Sequence, residues 1–583
     1  MLQWGAPATA RNFAMFYLAR WKHVAVVLLF IWILVTYLVI SPLRCSGNPD
    51  EVAEYQARLR HVSTQLDTLR QQHTNLIAQI KSSGPTRNEP VQTTRSSGKI
   101  NIDPSALFAG DGPSEEYETL RRRIYTNTKE LWYYIKSELR KVLNDNDKTS
   151  RIEAVLKDVG ERKRSLLFDQ QKLAEIDGHN EWRRLEAANV SDLIQRRLKY
   201  LQNPSDCREA RKVICNLNKG CGFGCQLHHI AYCLIFAYAT ERTLILQSRG
   251  WRYNTKGWDY VFYPLSDSCT SAYEDKALQW PASYDAKVIS LPFIDSMSQK
   301  PKFLPLAIPK DLAHRILRFN GDPASWWVGQ MIKFVLRPRT AMQKAINETI
   351  ARMSFKTPIV GVHVRRTDKV GTEAAFHHIH EYMAHVAQFF DTLELDGPVA
   401  ARRVYLASDD ANVLEDARRK YPQYAFEGDA GIAKLAATHR RYTPQSLTGL
   451  LVDLHLLAAC DFLVATFSSQ VGRVAYELMQ ANRVDASESF FSLDDIYYFG
   501  GQNAHDRVAV LPHDASGAQD ISFKVGDMIG IAGNHWNGYG RGTNRRTNAN
   551  GLIPWYKTME YLVLYPFPEY KEVPLYVDTR QEQ

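Results

Sequence analysis

Residues 358–373 read PIVGVHVRRTDKVGTE, a mostly apolar run that changes after Val364 into a cluster of charged side chains. Two later apolar runs end in a similar way: residues 404–407 precede Ser-Asp-Asp at 408–410, and residues 462–467 precede Ser-Ser-Gln at 468–470. Short apolar runs alternate with helical stretches from residue 207 to about 499, which predicts an α/β fold. Because ligands of open α/β sheets bind beyond the carboxyl ends of parallel strands, these polar residues are the predicted site.

The composition is that of a globular protein. The chain has 583 residues, of which 45% are hydrophobic and 23% charged, so we expect two or three folded units. The net charge of +9 favours an anionic ligand or surface, although solvated surface charge is the commoner explanation. Lys and Arg are spread along the chain without a long basic run, which weighs against nucleic-acid binding.

A membrane anchor is predicted near the amino terminus. Residues 24–40 are uncharged and mostly apolar, and as a helix they rise about 26 Å, enough to span a bilayer core. Arg11, Arg20 and Lys22 precede this run, whereas Asp50 and Glu51 follow it. The positive-inside rule therefore predicts a type II protein with a cytosolic tail at 1–23 and everything after the anchor in the lumen.

Six of the eight cysteines fall in one short region, at Cys207, Cys215, Cys221, Cys225, Cys233 and Cys269. In an oxidising compartment an even, local cluster predicts three disulfides, but spacing alone permits fifteen pairings. A zinc site is the alternative, because Cys221 and Cys225 flank His228 and His229.

Two helical regions precede the α/β part. Apolar residues spaced by three and four between positions 52 and 80 predict a coiled coil, and a Ser-, Gly- and Pro-rich linker completes a stem at 41–113. An amphipathic helix folded onto its own chain is the alternative. Residues 114–206 form a second helical stalk region, with a predicted break near 144–147. Its apolar positions indicate a pairing face: Leu120, Ile124, Leu131, Ile135 and Leu139.

Residues 506–561 contain short strand-like segments with turn signals, in the order expected of an SH3 barrel. The segments are 508–511, 523–527, 536–539 and 551–554, and residues 562–583 form a tail. The first long loop holds only Asp514 and Asp520 as acidic residues. Because ligand-binding SH3 domains usually have more, packing or acceptor recognition is at least as good an expectation as binding of PxxP peptides.

The loop after Val364 carries the side chains that transfer from a sugar nucleotide needs. That reaction neutralises a departing diphosphate and removes a proton from the acceptor hydroxyl. Arg365, Arg366 and Lys369 supply positive charge, and Asp368 and Glu373 supply carboxylates. Arginine binds phosphate oxygens through paired donors, so a metal is not needed. A salt-bridged surface loop is the alternative, which we disfavour because the cluster directly follows a buried apolar strand.

The polar residues that follow the other two apolar runs, and Asp453 between them, each allow more than one interpretation. Asp409 and Asp410 have two interpretations, a metal-binding acidic motif and a helix N-cap. Asp453 lies at the edge of an apolar helix face and can point into the cleft or into solvent. Ser469 and Gln470 stand before a predicted helix, an arrangement typical of a phosphate site at a helix N-terminus.

Five motifs carry a resemblance to a known family: HVRRTDKVGTE at 363–373, CGFGCQLHH at 221–229, WRY at 251–253, FSSQ at 467–470 and GNHW at 533–536. Together they resemble the animal core α1,6-fucosyltransferases, over nearly the whole chain. The resemblance implies a B-type glycosyltransferase fold, with a disulfide-rich α/β part at 207–357 and a Rossmann-like donor part at 358–499. It also implies transfer from GDP-fucose to O6 of the innermost N-acetylglucosamine of N-glycans, with inversion and without a divalent metal or other cofactor. A Golgi homodimer is expected.

The resemblance also implies roles for individual residues. The implied donor-binding residues are Arg365, Arg366, His363, Tyr253, Asp409, Asp410, Asp453, Ser469 and Gln470, with Arg365 on the diphosphate. The implied catalytic group is Arg365, Asp368, Lys369 and Glu373, with Glu373 as the base and Lys369 beside the reacting hydroxyl. The implied acceptor contacts are His535 and Asp295, together with Glu373 and Lys369.

Three disulfides are implied as well: Cys207–Cys269, Cys215–Cys233 and Cys221–Cys225. The chain departs from the family at one further short disulfide, because Ala465 and Gly472 stand where its cysteines would be.

Two other functions compete with this interpretation. A membrane-anchored adaptor or lectin-like protein would use the coiled coil and the SH3-like segment, but it would not need an intact Arg365–Glu373 loop. A protein O-fucosyltransferase explains the arginine loop but not the carboxyl-terminal segment.

Overall fold

The computed structural model describes residues 112–141, 149–272, 276–367, 375–438, 440–517 and 519–575. The predicted cytosolic tail, the anchor at 24–40 and nearly all of the stem at 41–113 lie outside these residues. Within the described ranges, no helix is long and apolar enough to cross a membrane.

Three helices fill the region predicted at 114–206: α1 (Glu115–Lys141), α2 (Thr149–Ile176) and α3 (Asn180–Gln202). Several large apolar side chains of α1 and α2 remain exposed, among them Leu120 and Leu131. Helix α3 differs, because Val190, Leu193 and Ile194 are fully buried in the main hydrophobic core. The last third of this region is therefore part of the main hydrophobic core rather than of a free stalk.

The first sheet is parallel, with strand order β2-β1-β4-β3. Its strands are β1 (Lys212–Asn216), β2 (Thr243–Gln247), β3 (Leu278–Gln279) and β4 (Val288–Ser290). Helix α4 (Phe223–Ala239) connects β1 to β2 and is buried along almost its whole length. Strand β5 (Ile308–Pro309) and helices α5 (Lys310–Leu317), α6 (Pro323–Val335) and α7 (Thr340–Ala351) complete this part.

The second sheet is parallel as well, with strand order β10-β9-β6-β7-β8. Its strands are β6 (Ile359–Val364), β7 (Arg403–Ser408), β8 (Ala425–Glu427), β9 (Phe462–Ala465) and β10 (Phe490–Ser492). Its helices are α8 (Ile379–Leu393), α9 (Asn412–Lys420), α10 (Ala430–Ala436), α11 (Pro444–Ala459) and α12 (Gln470–Asn482). The three apolar runs of the sequence are the adjacent central strands β9, β6 and β7.

Both faces of the second sheet are buried, which explains why its strands are continuously apolar rather than alternating. In β6, Ile359 belongs to the main core, whereas Val360, Val362 and Val364 point to the other face and pack in a second cluster with α8 and α9. The mixed α/β architecture predicted from the sequence is therefore confirmed.

The carboxyl-terminal sheet is antiparallel, with order β14-β13-β12-β11-β15. Its strands are β11 (Asp506–Ala509), β12 (Met528–Asn534), β13 (Tyr539–Asn544), β14 (Asn550–Pro554) and β15 (Thr558–Glu560). Segments 508–511 and 551–554 overlap strands, as expected. Segments 523–527 and 536–539 instead precede and follow β12, because Gly526 and Gly538 take positive φ angles of 86° and 88° that form turns.

The first residues of the predicted tail at 562–583 pack against the rest of the protein. Strand β16 (Leu564–Tyr565) pairs with β5, and Phe567, Tyr570 and Val573 are buried in the main core. Residues after 561 therefore help to hold the first α/β part together.

All three implied disulfides are present: Cys207–Cys269, Cys215–Cys233 and Cys221–Cys225. The zinc alternative has no support here, because both of its cysteines are bonded to each other rather than free as thiolate ligands. Cys460 is a free, buried cysteine.

Candidate active site

The candidate site lies where the loops after β6, β7 and β9 leave the second sheet. These strands are parallel neighbours, so their carboxyl ends share one edge. This arrangement brings residues 365–367, the described start of the arginine loop, beside Asp409.

Asp409 fixes the start of the arginine loop. Its carboxylate accepts a hydrogen bond from the backbone N–H of Arg366 at 2.8 Å, and further hydrogen bonds from the Arg365 guanidinium and the Thr367 hydroxyl. The Asp409 side chain is only 5% exposed. The carboxylate therefore joins the ends of β6 and β7.

Arg366 is held by its ring contact with Phe376. The guanidinium carbon lies 3.9 Å from the ring centroid, and the buried Nη1 has no hydrogen-bond partner among the described residues. Arg366 and Asp409 also line an open cavity of about 490 Å³, to which α10 and the following segment contribute Lys434 and Arg440. Three cationic side chains at one cavity favour an anionic ligand.

Asp410 has a local structural role. Its Oδ1 accepts a 3.0 Å hydrogen bond from the backbone N–H of Asn412, the first residue of α9. Of the two acidic residues, Asp410 is thus the one that contacts the start of α9, whose N-cap residue is Ala411.

Asp453 points inward. It is 8% exposed, and its Oδ1 accepts a 2.6 Å hydrogen bond from the hydroxyl of Tyr405. Burial raises the pKa of Asp453 from 3.8 to about 7, although the Tyr405 hydrogen bond opposes part of that shift. Asp453 therefore points away from solvent, beside Ser408 and Asp410.

His363 lies at the end of β6 and is 6% exposed. Burial lowers its pKa to about 4, so the imidazole is neutral near pH 7. Its Nδ1 is buried without a hydrogen-bond partner in the described part of the chain.

Two helix N-termini meet at this site. Gly224 of α4 approaches Gln470 of α12 so closely that an added Cβ would lie 2.9 Å from Gln470 Cβ and 3.1 Å from its carbonyl carbon. The hydroxyl of Tyr253 accepts a 3.0 Å hydrogen bond from the backbone N–H of Phe223 and steadies the same turn. Ser469, the N-cap residue of α12, makes no side-chain cap. Converging helix N-termini attract anions.

The two predicted acceptor contacts lie on different parts of the molecule. Asp295 is exposed and ion-paired with Lys219 on the first α/β part. His535 is exposed on the antiparallel sheet, where it lines a cavity of about 480 Å³ with Asn537 and Arg541. Both lie near the segment that follows β10. Ile294, next to Asp295, is approached by Gly501 of that segment. Trp536, next to His535, donates a 3.0 Å hydrogen bond from its indole N–H to the Asp494 carbonyl of the same segment.

The remaining catalytic predictions fall outside the described residues. They are Asp368, Lys369 and Glu373. Their roles stay predictions from the sequence.

The family model for the N-terminal and catalytic domains of α-(1,6)-fucosyltransferases matches residues 14–498. The chain belongs to this family. An α-(1,6)-fucosyltransferase of Drosophila melanogaster is 52% identical over 465 residues, which cover 79% of this chain and 75% of the relative. One of Caenorhabditis elegans is 42% identical over 403 residues, 68% of this chain and 72% of the relative. Family membership makes this chain a fucosyltransferase.

Solved structures give a weaker likeness. NodZ α-1,6-fucosyltransferase co-crystallised with GDP is 16% identical, with a TM-score of 0.29, over 46% of this chain and 91% of that chain.

Sequence reasoning assigned no role in the candidate site to three residues that the structure places there. Thr367 binds Asp409, and both His228 and Glu477 join a hydrogen-bond network that begins at Gln470. His228 was considered as a zinc ligand and as part of the 221–229 motif. The available signal was the polar spacing along α12, where residues 470, 473, 477 and 480 repeat on one helix face.

Proposed function

We propose that this fucosyltransferase moves fucose from GDP-β-L-fucose to O6 of the innermost, Asn-linked N-acetylglucosamine of N-glycans, with inversion at the anomeric carbon. The observation that carries the proposal is a fixed arginine, Arg365, at the shared sheet edge of a chain that belongs to the α-(1,6)-fucosyltransferase family.

The diphosphate is the part of the donor that needs the most charge compensation. As the sugar–phosphate bond breaks, negative charge grows on the leaving oxygen. In our proposal Arg365 and Arg366 bind the diphosphate from one side, and the N-terminus of α12 with Ser469 and Gln470 from the other. His363, Tyr253 and Asp453 are further donor contacts.

The proposed reaction uses no divalent metal and no other cofactor. Asp409 is already engaged by three donors, and Asp410 accepts from the start of α9. Cationic side chains supply the charge that a metal would otherwise supply.

Inversion requires a base on the side of the acceptor hydroxyl. We assign this role to Glu373, with Lys369 beside the hydroxyl and the leaving group and Asp368 in the same catalytic loop. This assignment rests on the HVRRTDKVGTE motif.

The acceptor glycan is proposed to contact Asp295 and His535. In this view the antiparallel sheet is an SH3-like module that recognises the glycan, supported by the polar cavity around His535. The two parallel sheets correspond to a B-type glycosyltransferase whose Rossmann-like part, 358–499, binds the donor.

The cellular setting remains a proposal too. We propose a single-pass type II protein of the Golgi membrane, with its catalytic part in the lumen, that forms a homodimer through its helical region. Exposed Leu120, Ile124 and Leu131 on α1 support that pairing, because a dimer would bury them.

The test is transfer of radiolabel from GDP-fucose to an N-acetylglucosamine-terminated biantennary N-glycan by the full chain in detergent, with GDP-mannose as the matched donor control. We expect transfer from GDP-fucose alone. No transfer by a folded chain that binds GDP would refute the proposed acceptor and favour the adaptor alternative.

A further inference from the structure

A buried histidine connects the two α/β parts next to the donor site. His228 lies on α4, and both of its ring nitrogens contact α12: Nδ1 contacts Oε1 of Gln470, and Nε2 lies 2.7 Å from Oε2 of Glu477. His228 is 4% exposed and Glu477 is 0% exposed. The hydroxyl of Tyr497 donates a 2.7 Å hydrogen bond to the other oxygen of Glu477.

Both contacts of His228 hold its ring in place. Nδ1 lies against the amide oxygen of Gln470 and Nε2 against the buried carboxylate of Glu477, so the imidazole joins two side chains of α12. Hydrogen bonds to a carboxylate hold their geometry more strongly than those between neutral groups.

The arrangement decides which end of the Gln470 amide is available. Since Oε1 is bound by His228, the NH₂ group points away, and an added Cβ on Gly500 would lie 3.7 Å from Nε2. This NH₂ group makes no hydrogen bond within the described residues. Gln470 thus presents two donors and no acceptor, which suits phosphate oxygens.

We propose that His228, held by Glu477, is a positioning residue that keeps the Gln470 NH₂ group directed at the donor diphosphate. The inference rests on the proposed function, because Gln470 must contact that diphosphate. No substrate atom is bound by His228 itself.

Two near-isosteric substitutions separate this role from simple packing. The amide of Asn reaches the position of Nδ1, so the His228→Asn variant can still donate a hydrogen bond to Gln470 but loses the contact with Glu477. The amide of Gln reaches the position of Nε2, so the His228→Gln variant keeps the contact with Glu477 but loses the one with Gln470. If His228 only linked the helices, His228→Gln would bind GDP at least as tightly as His228→Asn.

The measurement is GDP binding to the full chain by titration calorimetry, together with KM and kcat for GDP-fucose. Loss of the hydrogen bond that orients Gln470 predicts a GDP dissociation constant raised about 10- to 100-fold in His228→Gln, and raised about threefold or less in His228→Asn. KM for GDP-fucose should likewise be raised more in His228→Gln than in His228→Asn. GDP binding by His228→Gln as tight as by His228→Asn would overturn the inference.

Tyr497→Phe is the matched control, because it removes a hydrogen bond from Glu477 without touching Gln470. We expect a lower melting temperature with GDP affinity within about threefold of wild type. GDP affinity reduced as much as in His228→Gln would show that the network only stabilises the fold. Should both His228 variants fail to fold, Glu477→Gln removes only the carboxylate that holds His228 and must weaken GDP binding in the same way.

GDP binding by the wild-type chain distinguishes failure of the proposed function from failure of the role proposed for His228. A wild-type chain that does not bind GDP overturns both. A wild-type chain that binds GDP, with variants of equal affinity, overturns only the role of His228.

Discussion

The guanidinium of Arg365 is ion-paired with the carboxylate of Asp409, so the loop after β6 is tied to the end of the neighbouring strand β7. Both side chains are largely buried, at 14% and 5% exposure. A partly desolvated, positioned cation stabilises developing negative charge better than a mobile surface arginine, because no reorganisation is needed during the reaction. The first prediction follows from this pair.

Arg365→Ala should lower kcat/KM for GDP-fucose at least about 100-fold, because the leaving diphosphate loses its main counter-charge. The fold should persist, since Asp409 still accepts from the Arg366 amide and the Thr367 hydroxyl. The measurement is steady-state kinetics with circular dichroism as the folding check. Arg352→Ala, at an exposed helix end before β6, is the control and should be fully active. Normal turnover by Arg365→Ala would remove its proposed role.

Asp453 should make stability depend on pH. Burial raises its pKa from 3.8 to about 7, so between these values the folded chain keeps a proton that the unfolded chain has lost. The folded state then binds more protons, and the free energy of unfolding falls as pH rises through this window, by up to about 4 kcal/mol. Asp453→Asn should lose this part of the pH dependence in urea unfolding, whereas Asp267→Asn, at an exposed site, should keep it. Parallel profiles for wild type and Asp453→Asn would contradict the prediction.

Gly224→Ala tests the close approach of α4 and α12. The new methyl group would lie 2.9 Å from Gln470 Cβ and 3.1 Å from backbone, so one helix must shift. We expect a loss of kcat/KM of about 10- to 100-fold, because a displacement near 1 Å at a reacting site is costly. Gly517→Ala, where an added Cβ meets nothing within 4 Å, is the control. Unaltered kinetics in Gly224→Ala would mean that this approach is not needed.

Removal of divalent metals should not affect transfer. Positive charge from Arg365 and Arg366 replaces a metal in the proposed mechanism, so activity in excess EDTA should equal activity in untreated buffer. The check is initial rate with EDTA, then with added Mn²⁺. Activity lost in EDTA and restored by Mn²⁺ would overturn the metal-free mechanism.

Glu373→Gln should separate binding from chemistry. If Glu373 is the base, the variant keeps GDP affinity but turns over at least about 100-fold more slowly, because the acceptor hydroxyl keeps its proton. Calorimetry with GDP and single-turnover transfer measure the two effects. Unchanged turnover would move the base to another residue.

The parallel sheet could be predicted from sequence because its signals are local. The strands β6, β7 and β9 are continuous apolar runs that end in polar residues, and that pattern also locates the shared edge. The pairing of Arg365 with Asp409 was not predictable, since the two residues are 44 positions apart and meet only through strand order.

Long-range packing explains the other differences. Helix α3 has the same kind of helical pattern as α1, yet α3 is far more buried, because it packs against α5 and α6. His228 and Glu477 are 249 positions apart, so no local signal joins them. The segment that resembles an SH3 barrel could be located, but residues 523–527 form a turn because Gly526 has a positive φ.

The most direct test of the central claim is the linkage of the transferred fucose. The full chain is incubated with GDP-fucose and an N-acetylglucosamine-terminated biantennary glycopeptide, and the product is mapped by NMR. The account predicts fucose α-linked to O6 of the innermost N-acetylglucosamine. Fucose on an antenna, on another hydroxyl or on the peptide would contradict it.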